Sequence, residues 1–217
     1  MRSPCLIPLN SLNLDLPQQS ISCNLFSTKM GIVIGITGGV ATGKTTVMEM
    51  LRELGAKTLS ADDIARDVLE PGTPESEEVA RRFGLAILDS SGRINRTALA
   101  NIIFRDKKVR EILNSITHPR IIAILENKIE EFRVSTGEKD ILAVEIPLLV
   151  ECNLSRLVDI ILVVAAEQET QISRLKTRGL SDAQALERIA AQISLSEKTQ
   201  AADLVIWTDV SLDDTRR

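Results

Sequence analysis

The chain has 217 residues, with 26 Lys and Arg against 30 Asp and Glu, a formal net charge of -4, 44% hydrophobic residues and 2% aromatic residues. A chain of this length buries about 70% of its unfolded surface, so a fold that depends on disulfides or metals is excluded. We expect no membrane partner, because the apolar runs fall far short of the ~20 residues that cross a bilayer. We expect no nucleic acid either, because an acidic chain poor in aromatic residues lacks the usual features of a nucleic-acid binder.

The first 29 residues differ from the rest of the chain. They contain several Pro, Ser and Asn residues and no sustained apolar pattern, which predicts a disordered extension or a mis-assigned start with Met30 as the true first residue. A targeting peptide is the competing interpretation, although the segment lacks an Arg-rich amphipathic pattern and a secretory cleavage site. Residues 30–217 are expected to form the folded domain.

Short apolar runs alternate with helical patterns from residue 31 onward. Residues 32–36 are apolar and mostly β-branched, which is typical of a parallel strand buried on both faces. A helix over 44–54 follows, and then a short strand over 57–59. A second helix opens at Ser60, whose hydroxyl can cap the backbone three residues later.

A long helical stretch follows and is expected to form an insertion at about 75–134. Interruptions are predicted at 84–93 and at the pair His118-Pro119. Further buried strands are predicted at 141–145, 160–165 and 203–206. The alternation of strands and helices predicts an α/β fold with a five-stranded parallel sheet flanked by helices.

The strongest chemical signal directly follows the first predicted strand. The stretch GGVATGKT satisfies the pattern G-x-x-x-x-G-K-[ST] and opens the helix at residue 44. In such a P-loop the backbone N–H groups and the lysine bind the phosphates, and the hydroxyl, here Thr45, binds Mg²⁺. We therefore expect a nucleoside triphosphate with Mg²⁺ as ligand. The predicted nucleotide-binding residues are Gly38, Gly39, Val40, Ala41, Thr42, Gly43, Lys44, Thr45 and Thr46.

A P-loop alone does not choose among kinases, GTPases and ATPase machines. The nearest match to the N-K-x-D element of GTP-binding proteins is NKIE at 127–130, which lies inside a predicted helix and carries Glu for Asp. We attribute that match to chance.

Asp62 and Asp63 open the second predicted helix at the carboxyl edge of the sheet, beside the P-loop. A carboxylate there can accept the proton of a hydroxyl that attacks the γ-phosphate. Two acids are equally typical of a helix N-terminus, where they interact with the helix dipole. The residues alone leave both interpretations open.

Arg174 and Arg178 lie four residues apart on the helix predicted after the strand at 160–165. Gly179 ends this helix, and Ser181 with Gln184 forms a capping box for the next one. A helical hairpin of this kind, at about 168–195, suits a lid that closes on phosphates and excludes water. A solvated basic face is the alternative.

Taken together, these motifs resemble the dephospho-coenzyme A kinase family. The resemblance runs from about residue 31 to 209. It includes the P-loop stretch GITGGVATGKTTV, then LSADDIARDVLEPGTP, THP, IPLLVE, RLKTRGLS and ERIAAQ, in the order in which the family has them.

The resemblance implies transfer of the γ-phosphate of ATP to the 3′-hydroxyl of dephospho-coenzyme A. Asp62 would be the catalytic base, Lys44 would hold ATP, and Arg174 and Arg178 would be catalytic lid residues. The acceptor site would include Asp62, Arg66 and His118, together with the helical insertion. Cys5, Cys23 and Cys152 show no metal-like spacing and fit a reducing compartment, so we expect a cytoplasmic protein, monomeric or weakly homo-oligomeric.

Several positions depart from the family pattern. Ser60 replaces an Asp, and Ala41 replaces a frequent Gly, which requires an unstrained backbone at that point of the loop. Residues 207–210 read WTDV where the family usually has Asp, Asn, a small or acidic residue and Gly, so nucleobase affinity is the property most exposed to change. The sequence stops at Arg217 where the family usually continues into a closing helix, from which we expect weakened stability. Another P-loop small-molecule or nucleoside monophosphate kinase, and a catalytically impaired nucleotide binder, are the alternatives.

Overall fold

The computed structural model describes residues 31–217, apart from the side chains of Phe104 and Arg105, and the expectations for residues 1–29 lie outside this range. The strands are β1 (Ile32–Gly38), β2 (Lys57–Ser60), β3 (Ile141–Glu145), β4 (Ile160–Ala165) and β5 (Leu204–Trp207). They form a parallel sheet in the order β2-β3-β1-β4-β5. The predicted α/β fold with five parallel strands is confirmed, and β5 begins one residue later than predicted.

Helices cover both faces of this sheet. They are α1 (Lys44–Glu53), α2 (Ala61–Val68), α3 (Pro74–Phe83), α4 (Arg96–Arg105), α5 (Lys107–Ser135), α6 (Gln168–Thr177), α7 (Asp182–Ala190), α8 (Leu195–Gln200) and α9 (Leu212–Arg216). Of the helices in residues 31–217, none combines the length and the apolar character that a membrane crossing needs.

The register of the central strands brings their carboxyl ends to one edge. Ile36 of β1 pairs with Glu145 of β3, and Gly38 of β1 pairs with Val164 of β4. In open parallel sheets, ligands bind at the carboxyl ends of the strands. The loop after β1 and the segment after β3 therefore lie side by side at the edge where a ligand is expected.

Two apolar layers hold the sheet between helices. One face of the sheet packs on α2 and on the second half of α5, and the other face packs on α1. The first layer is centred on Val33, Ile64, Leu125, Ile129 and Val144, and the second on Ile34, Ile36, Val47, Met48 and Val164. In the central strands Val33, Ile36, Val144 and Val164 are fully buried. This close packing supports the carboxyl ends of these strands, where a ligand is expected.

The helical insertion has a small core of its own. Val79, Ile87, Leu99 and Leu113, contributed by α3, a 3-10 turn, α4 and the first half of α5, pack together. Helices α3, α4 and α5 cover most of the stretch predicted as an insertion at 75–134, and its separate status and its role in binding an acceptor stay predictions.

The predicted interruption at His118-Pro119 is wrong, because α5 continues through both residues for 29 residues. Proline removes one helical hydrogen bond, here the bond to the carbonyl of Ser115. Ser115 and Pro119 are both exposed, so water can satisfy that carbonyl. The same helix is packed on both sides of Pro119, through Leu113 before it and Leu125 after it. This packing outweighs the lost hydrogen bond.

Candidate active site

The loop between β1 and α1 requires glycine at two positions. A Cβ at Gly38 would lie 2.2 Å from the carbonyl oxygen of Val164, and the φ of Gly43 is +90°. Thr42 is fully buried, and its hydroxyl donates to the carbonyl of Gly39 at 3.0 Å. The loop is therefore a fixed cradle of backbone groups at the N-terminus of α1, as the motif predicts.

The expectation of an unstrained backbone at Ala41 is wrong, because its φ is +57°. This left-handed conformation costs a non-glycine residue roughly 1–2 kcal/mol. The Ala41 methyl group is buried against Leu175 of α6 and Ala185 of α7. Packing of the loop against the hairpin of α6 and α7 thus offsets the strain that glycine would avoid.

Lys44, the first residue of α1, folds back over the loop. Its Nζ donates to the carbonyl oxygens of Gly38 at 3.2 Å and Gly39 at 2.7 Å. Burial lowers the pKa of this ammonium, and the nearby carboxylate of Glu145 opposes that shift. The next two side chains, Thr45 and Thr46, are exposed. A cation and hydroxyl groups therefore lie together where the motif predicts phosphates and a metal.

Glu145, at the end of β3, is a site residue that the sequence analysis missed. Burial raises the pKa of its carboxyl, the Lys44 cation lowers it, and the acids Asp62 and Asp63 raise it. The signal was available, because an acid that ends a buried strand next to the P-loop strand is a typical Mg²⁺ ligand in P-loop proteins. Residues 31–217 hold no cluster of three His, Cys, Asp or Glu side chains, but Mg²⁺ in kinases needs few protein ligands besides the phosphates.

The two acids that open α2 have different surroundings. Ser60 caps the helix by accepting from the N–H of Asp63 at 3.3 Å, so the family's missing Asp is replaced by a working cap. The Asp63 carboxylate pairs with Arg66 at 2.7 Å. Asp62 instead lines a cavity, and its charge opposes the lowering of the Lys44 pKa by burial. The geometry favours Asp62 over Asp63 as a base, and it leaves Arg66 outside the cavity wall.

This cavity, here called the acceptor cavity, has a volume of about 360 Å³. It lies between α2, α5, the segment after β3 and the loop after α7, and its walls are mostly apolar. Its lining includes Asp62, His118, Ile122, Pro147, Cys152 and Gln192. His118 is half-buried, and burial lowers the pKa of its imidazole. The volume and the lining suit part of a small-molecule ligand.

Arg174 is fixed against the P-loop rather than held out in solvent. Its guanidinium donates to the carbonyl of Ala41 at 3.2 Å and to the hydroxyl of Thr208 at 2.9 Å. Thr208, which the sequence analysis noted only as a departure, is buried and donates to the carbonyl of Thr42 at 2.7 Å. Residue 208 therefore joins α6 to the loop, and it lines a second cavity of about 230 Å³ with Arg174 and Arg178.

The predicted hairpin is present, with one difference. Helix α6 ends at Thr177, so Arg178 is its C-cap residue, and both arginines line the second cavity. Gly179 has a φ of +89°, and Ser181 and Gln184 form the predicted capping box. The lid role of residues 168–195 and the catalytic roles of both arginines stay predictions.

Lys198 of α8 is a second residue that the sequence analysis missed. Its side chain is fully buried, donates to the carbonyl of Pro147 at 2.9 Å and lies 2.8 Å from Oε1 of Glu151. Neither Glu151 oxygen has a well-aligned hydrogen bond among the described residues, so this contact is an ion pair held by charge. The pair ties α8 to the segment after β3, which forms one wall of the acceptor cavity.

Comparisons with known proteins agree with this architecture. A family model for dephospho-CoA kinase matches residues 32–214. The dephospho-CoA kinase of Carboxydothermus hydrogenoformans is 43% identical over 185 residues, 85% of this chain and 89% of that protein. That of Listeria monocytogenes is 44% identical over 189 residues, 87% and 94% of the two chains.

Solved structures give the same result. A crystal structure from Thermus thermophilus matches with a TM-score of 0.73 and 34% identity over 87% of this chain and 94% of the other. The dephospho-CoA kinase of Campylobacter jejuni matches with a TM-score of 0.59 and 31% identity over 86% and 93%. The earlier resemblance is confirmed, and the chain belongs to the dephospho-CoA kinase family.

Proposed function

We propose that this chain transfers the γ-phosphate of ATP to the 3′-hydroxyl of dephospho-coenzyme A at the site built by the P-loop and the acceptor cavity. As a member of its family it is a kinase that converts dephospho-coenzyme A to coenzyme A. The observation that carries the proposal is the position of Asp62, which lines a mostly apolar cavity and is close enough to Lys44 for its charge to oppose the lowering of the Lys44 pKa by burial. A hydroxyl bound in the cavity would thus face the phosphates on the loop.

The reaction needs one proton transfer and one displacement. Asp62 accepts the proton of the 3′-hydroxyl, and the oxygen forms a bond to the γ-phosphorus. The bond between that phosphorus and the bridging oxygen breaks, and ADP leaves with the electron pair. Positioning and charge stabilisation supply most of the rate in such transfers.

The charged groups around the loop have separate tasks in this scheme. Lys44 leaves the carbonyls of Gly38 and Gly39 and binds the β- and γ-phosphates. Arg174 and Arg178, in the second cavity, neutralise the charge that develops during transfer. Thr45 and Glu145 supply the hard oxygen ligands that fit Mg²⁺, which when bound screens the phosphate charge.

Two alternatives are not favoured. Another small-molecule kinase would share the P-loop, but the family match extends over the acceptor cavity and α8 as well. An impaired nucleotide binder was suggested by the altered residues 207–210, yet Thr208 supports the loop and Arg174 through its hydroxyl. We keep the cytoplasmic location and the monomeric or weakly oligomeric state as predictions.

An acceptor comparison tests the proposal. The full chain is incubated with ATP and Mg²⁺, and ADP release is followed with dephospho-coenzyme A, with AMP and with no acceptor. We expect release that depends on dephospho-coenzyme A, and a product that carries a new phosphate on the 3′-oxygen by phosphorus NMR. Equal ADP release with and without acceptor would contradict the proposal.

A further inference from the structure

Gln192 lies in the acceptor cavity, and no role has been given to it above. It follows α7, where its N–H donates to the carbonyl of Ile189 at 3.3 Å, and its side chain lines the cavity with Asp62 and His118. The side-chain oxygen of Gln192 is buried and has no hydrogen-bond partner in residues 31–217.

An unpaired buried amide oxygen is costly, and native proteins rarely keep one without a reason. A buried water would need two to four polar partners, and the walls of the acceptor cavity near Gln192 are mostly apolar. The oxygen has almost no accessible surface where it lies, so a polar ligand in the cavity can pair with this amide only after the side chain turns. Because a side-chain amide turns about its last bond, Gln192 can offer either its oxygen or its NH₂ group to that ligand.

The backbone around Gln192 is held firmly. Helix α8 begins three residues later with a capping box formed by Ser194 and Glu197. Lys198 then joins α8 to the carbonyl of Pro147, which lines the same cavity, and to Glu151. Gln192 is thus fixed relative to the opposite wall, which a residue that selects a ligand requires.

We infer that Gln192 is a specificity-determining residue for the acceptor, and that its amide forms a hydrogen bond with a polar group of dephospho-coenzyme A. The inference rests on the proposed function. The group is an amide of the pantetheine arm or a polar group of the nucleotide portion. Both sources present N–H, O–H or C=O groups, and the two acceptors used below distinguish them.

Gln192→Met removes the amide and keeps a side chain of similar length, and Gln192→Leu is a second variant without the amide. The matched control is Gln200→Met, because Gln200 is an exposed residue of α8. Dissociation constants for dephospho-coenzyme A and AMP are measured by calorimetry without ATP, and KM values are measured for ATP and acceptor. We expect both Gln192 variants to raise the dissociation constant for dephospho-coenzyme A about 3- to 10-fold, which is the contribution of one hydrogen bond. KM for ATP and Tm should stay as in the unaltered protein.

The two acceptors report which part of the ligand Gln192 contacts. If only the binding of dephospho-coenzyme A is weakened, Gln192 contacts the pantetheine arm. If the binding of AMP is weakened equally, Gln192 contacts the nucleotide portion. Unchanged acceptor affinity in both variants, or an equal loss of ATP affinity, would overturn the inference. If the unaltered protein binds dephospho-coenzyme A without phosphorylating it, the proposed function fails while the affinities still test Gln192. If it does not bind, both are overturned.

Discussion

Replacing Lys198 with Met should destabilise the fold severely. The side chain of Lys198 is 0% exposed and that of Glu151 is 15% exposed, so the substitution leaves a buried carboxylate without its counter-charge. Removing one partner of a buried pair costs about 3–5 kcal/mol. For a chain of this size each kcal/mol lowers Tm by about 2–4 °C, so we expect a fall of about 6–20 °C.

The double variant Lys198→Met with Glu151→Leu separates charge from packing. It removes both charges, and the carbonyl of Pro147 keeps a donor in the hydroxyl of Thr37 at 3.0 Å. Replacing a whole buried pair by apolar residues is often neutral, so the double variant should recover most of the loss. The matched control is Lys176→Met, since Lys176 pairs with Asp182 at 2.9 Å with side chains 53% and 66% exposed. It should cost less than about 1 kcal/mol.

Urea unfolding followed by circular dichroism gives the free energy of unfolding for all four proteins. A free-energy cost of Lys198→Met no larger than that of Lys176→Met would contradict a stabilising role for the buried pair. A double variant as unstable as the single one would also contradict it, because the loss would then come from the missing side-chain volume rather than from the unpaired charge.

Three further predictions concern the site. Asp62→Asn should lower turnover by about 10²- to 10⁴-fold in the ADP-release assay, whereas Asp63→Asn, which changes the acid paired at the surface, should have a small effect; equal losses would reject Asp62 as the base. Because burial raises the pKa of Glu145 above its usual value of 4.5, the folded state holds that proton longer than the unfolded chain, so this group's contribution to stability falls as pH rises from 4.5 through the raised value. A pH series of Tm values should show that decline in the unaltered protein and a shallower decline in Glu145→Gln. Identical slopes would contradict a raised pKa of Glu145 in the folded state. Thr208→Val keeps the shape but leaves the carbonyl of Thr42 without its side-chain donor, so it should cost about 1–3 kcal/mol in urea unfolding and raise KM for ATP; an unchanged KM would show that the hydroxyl does not support the loop.

The sequence predicted the elements whose signal is local. Buried parallel strands are short, apolar and β-branched, and the strands at 141–145 and 160–165 were placed to the residue. The P-loop was recognised because its glycines, lysine and threonine lie within eight residues. Helix α5 was divided wrongly, since a proline rule weighs one lost hydrogen bond and cannot include the packing on both sides of Pro119.

The parts of the site that were missed depend on distant contacts. Glu145 acquires its meaning only when β3 is known to lie beside β1, and Lys198 only when α8 is known to pack against the segment after β3. The strain at Ala41 is tolerated because residues of α6 and α7 cover its methyl group. The residues that neighbour Glu145, Lys198 and Ala41 in the sequence indicate none of these contacts.

The bond from the Thr208 hydroxyl to the carbonyl of Thr42 joins residues 166 positions apart, and β5 contacts the sheet only through β4. Translation delivers the amino-terminal part of the chain first. A nascent chain therefore presents its P-loop long before the residue that supports it. Until β5 has been synthesised and docked, Arg174 lacks the Thr208 hydroxyl as an acceptor, so the contact that joins α6 to the loop forms only late in synthesis.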